Sequence, residues 1–378
     1  MSRSSRPGLA RVWTPLGAPT NLPALTDFDT ARARTFLEKA DIEQPDGLLA
    51  TLRDLTDAEL GLDAPLLDQA MADHGLPSVA TRRRASHQGT FHRLYDVVAP
   101  GTPARLLRVC VFPGPAGATL MDVEARLVKQ LREAGIPVPA SASLPVAHEG
   151  EVRGTQVVER AVGTPLSTAD EDELRMTALL ADTTALLARV HAWQGLGYGL
   201  LSASPAGDLV GVHEGWDLYV VLQLDAHLAA CEAHRAITPD ESEHIVDLFE
   251  RARPLLKAQT ARLLHGDPGS HNVMIDGTRV TAMLDWEDAL LGDPLFDLAA
   301  LCSFHPERRH SAILCAYGLA LRPGDEVWQR FWLYFLRIAL ARTVHRIRFA
   351  YPDRPDRAPA ARRIQLALAR LAGEMPGA

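Results

Sequence analysis

The chain has 378 residues, 47% hydrophobic and 23% charged, enough for two ordinary domains with buried cores. Its 39 basic and 47 acidic residues leave a formal charge of −8, which excludes a nucleic-acid or anionic-membrane binder whose affinity rests on net positive charge. No run reaches the roughly 18 apolar residues that span a bilayer, and the N-terminus carries charges without an apolar h-region, so a cytoplasmic protein is expected. Lysine occurs only at Lys39, Lys129 and Lys257, the other 36 basic residues being Arg, and asparagine only at Asn21 and Asn272. Cys110, Cys231, Cys302 and Cys315 form no C-x-x-C pair and read as small core residues, not as a disulfide framework or zinc site.

Residues 1–25 have no period and read as an arm. From Asp27 to about Gly75 apolar residues recur at helical spacing, which predicts an N-terminal helical segment. Between Ser78 and Gly163 the runs SVATRRRAS, FHRLYDVVA, ARLLRVCVF, SASLPVAHEG and TQVVERAVG predict about five strands of an antiparallel sheet. One helix interrupts them over 118–134, stopped by Gly135 and Pro137. Beyond Gly163 helical segments are expected over 168–193, 215–236, 239–256, 293–320, 325–349 and 357–374. Only 262–286, with RLLHGD, NVMID and RVTAMLDW between turns, breaks that pattern. The expected fold is α+β: an arm and helical extension over 1–77, a strand-rich lobe over 78–163 and a helical lobe over 164–378.

The stretch LLHGDPGSHNVMIDGTRVTAMLDWEDALLGDPLFDLAAL carries the chemistry. It sets Asp267 two residues after His265, Asn272 five after Asp267, and Asp285 thirteen after Asn272. With two Asn in the chain, the chance expectation of H-x-D-x4-N is about 0.005. A hairpin turning at Asp276-Gly277 can bring Asn272 and Asp285 to one end of neighbouring strands. Hard oxygen donors there suit Mg²⁺ together with phosphate oxygens. Asp267 is then placed to orient and deprotonate a hydroxyl that attacks a phosphoryl group.

HGDPGSHN followed by LDWEDALLGDPLFDLA resembles the catalytic and metal motifs of the aminoglycoside phosphotransferase and choline kinase superfamily, whose fold is related to protein kinases. The run is most similar to the hygromycin-type phosphotransferases, and the likeness extends over about residues 85–350. It implies a bilobal kinase-like fold, with Asp267 as catalytic base, Asn272 and Asp285 as Mg²⁺ ligands, and His265, Asp293 and Asp297 supporting the loop. It also implies a turn over the phosphates, for which HQGTFHRLYDV offers Gly89, Thr90 and Phe91. The phosphate cation is expected at Arg108, favoured by strand parity over Arg105, and its helix carboxylate at Glu124, with Glu133 as runner-up. The family usually has Lys at the cation position, and an arginine holds phosphate oxygens as well. The hinge backbone of Glu159, Arg160 and Ala161 is expected to meet the purine of ATP or GTP.

The resemblance further implies a small-molecule kinase, acting on an antibiotic of aminoglycoside or nucleoside type. Choline or homoserine as acceptor, or an inactive nucleotide-binding module, are the alternatives. Candidate acceptor contacts are Ser270, Glu287, Asp288 and Asp217, with Asp225, Trp216, Tyr219 and Trp286 nearby. The expected partners are this acceptor and the nucleotide, with no nucleic acid and no membrane.

Overall fold

Period-two runs between Thr81 and Glu159 pair as one antiparallel sheet, because alternate residues need opposite environments. The structure, a computed structural model, describes residues 55–348 and 360–373, apart from 87, 90, 91, 112, 170, 171, 205 and 258. The small lobe contains β1 (Thr81–Arg84), β2 (His92–Val98), β3 (Arg105–Cys110), β4 (Ser141–His148) and β5 (Glu151–Glu159), in the order β1-β2-β3-β5-β4. Leu94 and Gln156 stand opposite Arg108 on its two neighbouring strands.

One face of this sheet buries Tyr95, Val97, Leu107, Val109, Val146 and Val157 under α1 (Ala64–Asp73), which contributes Leu66, Leu67, Ala70 and Met71. Asp63 caps α1 by accepting the Leu66 N–H at 2.9 Å. The chain ahead of α1 is pinned to the sheet: Tyr95 Oη donates to Asp57 at 2.9 Å and buried Arg93 to the Leu55 carbonyl at 3.2 Å. The end of the expected N-terminal helical segment thus flanks the strand lobe; its earlier part lies outside the described residues. The opposite face, with Leu94, Leu106, Arg108, Gln156 and Val158, borders a cleft. Across β4 and β5 lies α2 (Pro115–Glu133), whose Val123, Leu127, Val128 and Leu131 join the core of the larger lobe.

The larger lobe holds α3 (Glu173–Val190), α4 (Trp216–Val220), α5 (Leu224–Ala233), α6 (Pro239–Lys257), α7 (Pro294–Ser303), α8 (His310–Ala316), α9 (Glu326–Arg348) and α10 (Ala360–Leu371). Two expected helices are divided. The segment expected over 215–236 breaks between α4 and α5, where Gln223 takes φ 55°, and that over 293–320 breaks between α7 and α8. A hairpin of β10 (Val273–Asp276) and β11 (Arg279–Met283) pairs with β6 (Thr164–Pro165).

A second sheet, ordered β8-β7-β12-β9, comprises β7 (Tyr198–Ala203), β8 (Leu209–His213), β9 (Arg262–Leu264) and β12 (Leu290–Gly292). Its first hairpin contradicts the expectation that only 262–286 interrupts the helices. Its signal was the glycine-punctuated alternation of GLGYGLLSASPAGDLVGVH. Gly197 shows the need for glycine: φ is 75°, and an added Cβ would lie 2.2 Å from the Gly211 carbonyl oxygen. Cys110, Cys231 and Cys302 are buried as expected of core residues, whereas Cys315 is exposed. Among the described residues no helix is long and apolar enough to cross a membrane.

Candidate active site

The β10–β11 hairpin brings the motif residues together. Val273 pairs with Met283, and Leu284 N donates to the Asn272 carbonyl at 2.8 Å, so Asn272 and Asp285 end neighbouring strands at one edge. The Asn272 amide nitrogen donates to the Asp267 carbonyl at 3.0 Å. Its Oδ1 is left without a donor among the described residues. Asp285 adopts φ 63°, a left-handed conformation that costs a non-glycine residue about 1 kcal/mol, and its side chain is 46% exposed.

The turn before Asp267 is braced from α7. Asp297, 0% exposed, accepts the backbone N–H of His265 at 2.6 Å and of Gly266 at 2.9 Å, and His191 Nε2 lies 3.1 Å away. His265 packs against Trp286, with ring centroids 4.4 Å apart and planes tilted by 40°, and donates from Nε2 to the Leu284 carbonyl at 3.0 Å. Burial holds its pKa below the ordinary imidazole value, so the ring is a neutral strut. Asp293, expected to brace the same loop, instead caps α7 through Leu295 N at 3.1 Å and is held by Tyr334 and Arg330 of α9.

Asp267 is 29% exposed. Arg342 Nη2 stands 3.1 Å from its Oδ1, and His271 Nε2 stands 3.3 Å from its Oδ2. Burial pushes this carboxyl up, but His271 and Arg342 outweigh it and hold it well below the usual carboxylate range. Asp285 moves the other way: desolvation by the walls of the cleft, with the charges of Glu124 and Asp267, raises it against the opposing pull of Arg108.

From the small lobe, Arg108 Nη1 meets both Glu124 oxygens at 2.9 and 2.8 Å and Gln156 Oε1 at 2.7 Å. Its Nη2 lies 3.0 Å from Glu287 and 3.6 Å from Asp285. Burial opposes the charge, but these carboxylates hold the guanidinium above its ordinary pKa. Arg105 is exposed at its strand start. Between the sheet and the hairpin lies a cavity of about 340 Å³ lined by Leu94, Leu106, Val158, Ala161, Met283 and the charged groups above. Gly89 borders it; Thr90 and Phe91 lie outside the described residues.

Several expected contacts are placed elsewhere. Asp217 is buried and paired with Arg253 at 3.0 Å, so its charge is already matched inside the protein. Trp216, Tyr219 and Trp286 are at most 2% exposed and belong to the core. Glu287 faces Arg108 and, at 3.2 Å, His92, on the sheet side of the cleft, and Asp288 lines the same cavity. Ser270 Oγ pairs with His305 Nε2 at 3.1 Å. In the hinge, the N–H groups of Glu159 and Arg160 already bond Ala140 and Ala104 at 2.8 and 3.1 Å, and the Arg160 side chain turns away to Asp96. Ala161 lines the cavity, and its N–H has no partner among the described residues. Gln156, a lone amide in the apolar run TQVVE, was not anticipated, and nothing in the sequence links Arg342 to Asp267.

A model of the APH phosphotransferase enzyme family matches residues 89–331. The chain belongs to this family. Hygromycin-B 4-O-kinase from Escherichia coli is 24% identical over 181 residues, 47% of this chain and 51% of that one, so the chain spans about half the length of that curated relative. A thermostable mutant of aminoglycoside phosphotransferase APH(4)-Ia, in ternary complex with AMP-PNP and hygromycin B, superposes with TM-score 0.60 at 20% identity, covering 81% of this chain and 99% of that chain. The GDP and kanamycin complex of APH(2")-IIia superposes with TM-score 0.56 at 14% identity, covering 83% and 100%. These likenesses establish the bilobal, kinase-like α+β fold of the phosphotransferase family. Every site residue from Gly89 to Asp297 falls inside the matched stretch, while Arg342 lies beyond it.

Proposed function

We propose that this protein is a Mg²⁺-dependent O-phosphotransferase that moves the γ-phosphoryl group of ATP or GTP to a hydroxyl of an antibiotic-like small molecule. The observation that carries the proposal is that Asn272 and Asp285 line a cleft whose far wall presents the Arg108–Glu124 pair, with Asp267 held against the Asn272 amide beside it. Relatives in complex with AMP-PNP and hygromycin B, or with GDP and kanamycin, support the reactant classes. In domain terms, residues 78–163 carry the nucleotide face, 164–378 the catalytic loop and acceptor side, and 1–77 the extension.

Asp267 accepts the acceptor's hydroxyl proton as the oxygen attacks the γ-phosphorus, the bond to the bridging oxygen breaks and the nucleoside diphosphate leaves. Arg108, oriented by Glu124 and Gln156, grips phosphate oxygens through its planar fork. Glu159 and Ala161 border the purine, with Ala161 N as its hinge donor, and Gly89 lies in the turn over the phosphates. Asn272 and Asp285 would hold the metal. A hard-oxygen pair fits Mg²⁺: the amide oxygen is undonated, and the Asp285 carboxylate sits among like charges that a cation relieves. When bound, the ion neutralises phosphate charge.

The test is γ-phosphate transfer from ATP and from GTP to aminoglycosides, nucleoside antibiotics, choline and homoserine, read by mass spectrometry. Phosphorylated antibiotic supports the proposal. Transfer only to choline or homoserine moves the protein to metabolite kinases, and nucleotide binding with no transfer makes it a binding module.

A further inference from the structure

Kinase chemistry builds negative charge beside the base, and the loop from His265 to Asn272 contains no lysine or arginine. The cation beside Asp267 comes instead from α9. The Arg342 side chain is 12% exposed, and its guanidinium carbon lies 3.6 Å from the centre of the Phe304 ring, against which it stacks. Nη1 donates to Ser303 Oγ, and Nη2 to Asp267 Oδ1 at 3.1 Å. Aromatic face, hydroxyl and carboxylate together fix the guanidinium plane.

A carboxylate offers two lone-pair directions per oxygen. On Asp267, Oδ2 faces His271 at 3.3 Å and the Asn272 amide at 3.4 Å. Oδ1 faces Arg342, which leaves one direction on Oδ1 for an incoming proton. We propose that Arg342 is a positioning residue: it locks the Asp267 rotamer so that the open side of Oδ1 meets the acceptor hydroxyl. The inference rests on the phosphotransferase reading above. It extends that reading to a residue outside the family-matched stretch, on a helix also tied to α7 through Tyr334 and Asp293.

The test compares wild type, Arg342→Ala, Arg342→Gln and Arg342→Lys by steady-state transfer, with slow nucleotide hydrolysis as the assay if no panel acceptor is taken. Misaligning a base by about 1 Å costs on the order of 100-fold. Arg342→Ala is therefore expected to lose about that factor in kcat, with nucleotide KM within about twofold. Methylguanidinium should restore part of the loss, and Arg342→Lys should fall between. If Arg342→Ala does not fold, Arg342→Gln with the same rescue decides. A kcat within about threefold of wild type, or a loss that follows the drop in melting temperature and is not rescued, overturns the inference alone. Absence of both transfer and hydrolysis in wild type overturns it together with the reading it rests on.

Discussion

Arg108 Nη2 lies 3.0 Å from Glu287 Oε2, an ion pair joining the third strand of the small lobe to the turn that follows Asp285. The Arg108 guanidinium is thereby shared among Glu124, Glu287 and Asp285. Glu287→Gln removes one negative charge from the cleft proposed to receive a triphosphate. Nucleotide affinity should rise about fivefold, close to 1 kcal/mol, measured by calorimetry with Mg²⁺ present. A fall in affinity would mean that Glu287 itself helps hold the bound metal or phosphate.

Arg108→Met should cost both stability and nucleotide binding. Removing one partner of a buried pair leaves Glu124 charged and unmatched, which costs about 3–5 kcal/mol. Adding Glu124→Gln should recover most of that stability in urea melts while leaving nucleotide binding weak. Recovery of binding in the double variant would show that Arg108 serves the fold alone.

Asp267→Asn preserves shape and removes the proposed base. Transfer should fall at least about 1000-fold, with the nucleotide dissociation constant nearly unchanged in equilibrium titration. Full residual activity would remove Asp267 from the mechanism.

Gly266 and Gly277 separate close approach from backbone conformation. Gly266 has φ 87°, and an added Cβ would lie 1.9 Å from the Asp288 carbonyl oxygen. Gly277 has φ 59° with nothing within 4 Å. Gly277→Ala should cost about 1 kcal/mol from φ alone, and Gly266→Ala at least about 3 kcal/mol together with activity, because Asp288 must move. Equal melting temperatures for the two variants would contradict this.

Glu173 opens α3 and is held down to about 2 by hydrogen bonds from Arg309 and Arg308. Because its folded pKa lies below its unfolded one, its contribution is present above the ordinary carboxylate value and is lost as pH falls toward about 2. Glu173→Gln should flatten this part of the acid unfolding curve, and an unchanged curve would assign the acid sensitivity to other carboxylates.

Local periodicity and spacing determined the five-strand sheet, the helix bearing Glu124, and the hairpin that aligns Asn272 with Asp285. Each of these depends on neighbours close in the chain or on a two-residue alternation. Residue type, rarity and strand parity single out Asp267 and Arg108 in the sequence, whereas Glu124 is named over Glu133 only through the family resemblance; the structure sets it at the tenth residue of α2, where it meets Arg108. Tertiary structure alone decided that Asp217 is spent on Arg253, that Glu287 faces Arg108, and that Arg342 reaches Asp267. Those three pairings join residues far apart in sequence, and a charged side chain carries no local mark of the partner that folding brings within 3–4 Å. The Gly-rich hairpin over β7 and β8 stands between the two cases. Its alternation was visible, but its place beside β12 depends on backbones that approach closely only once the larger lobe has packed.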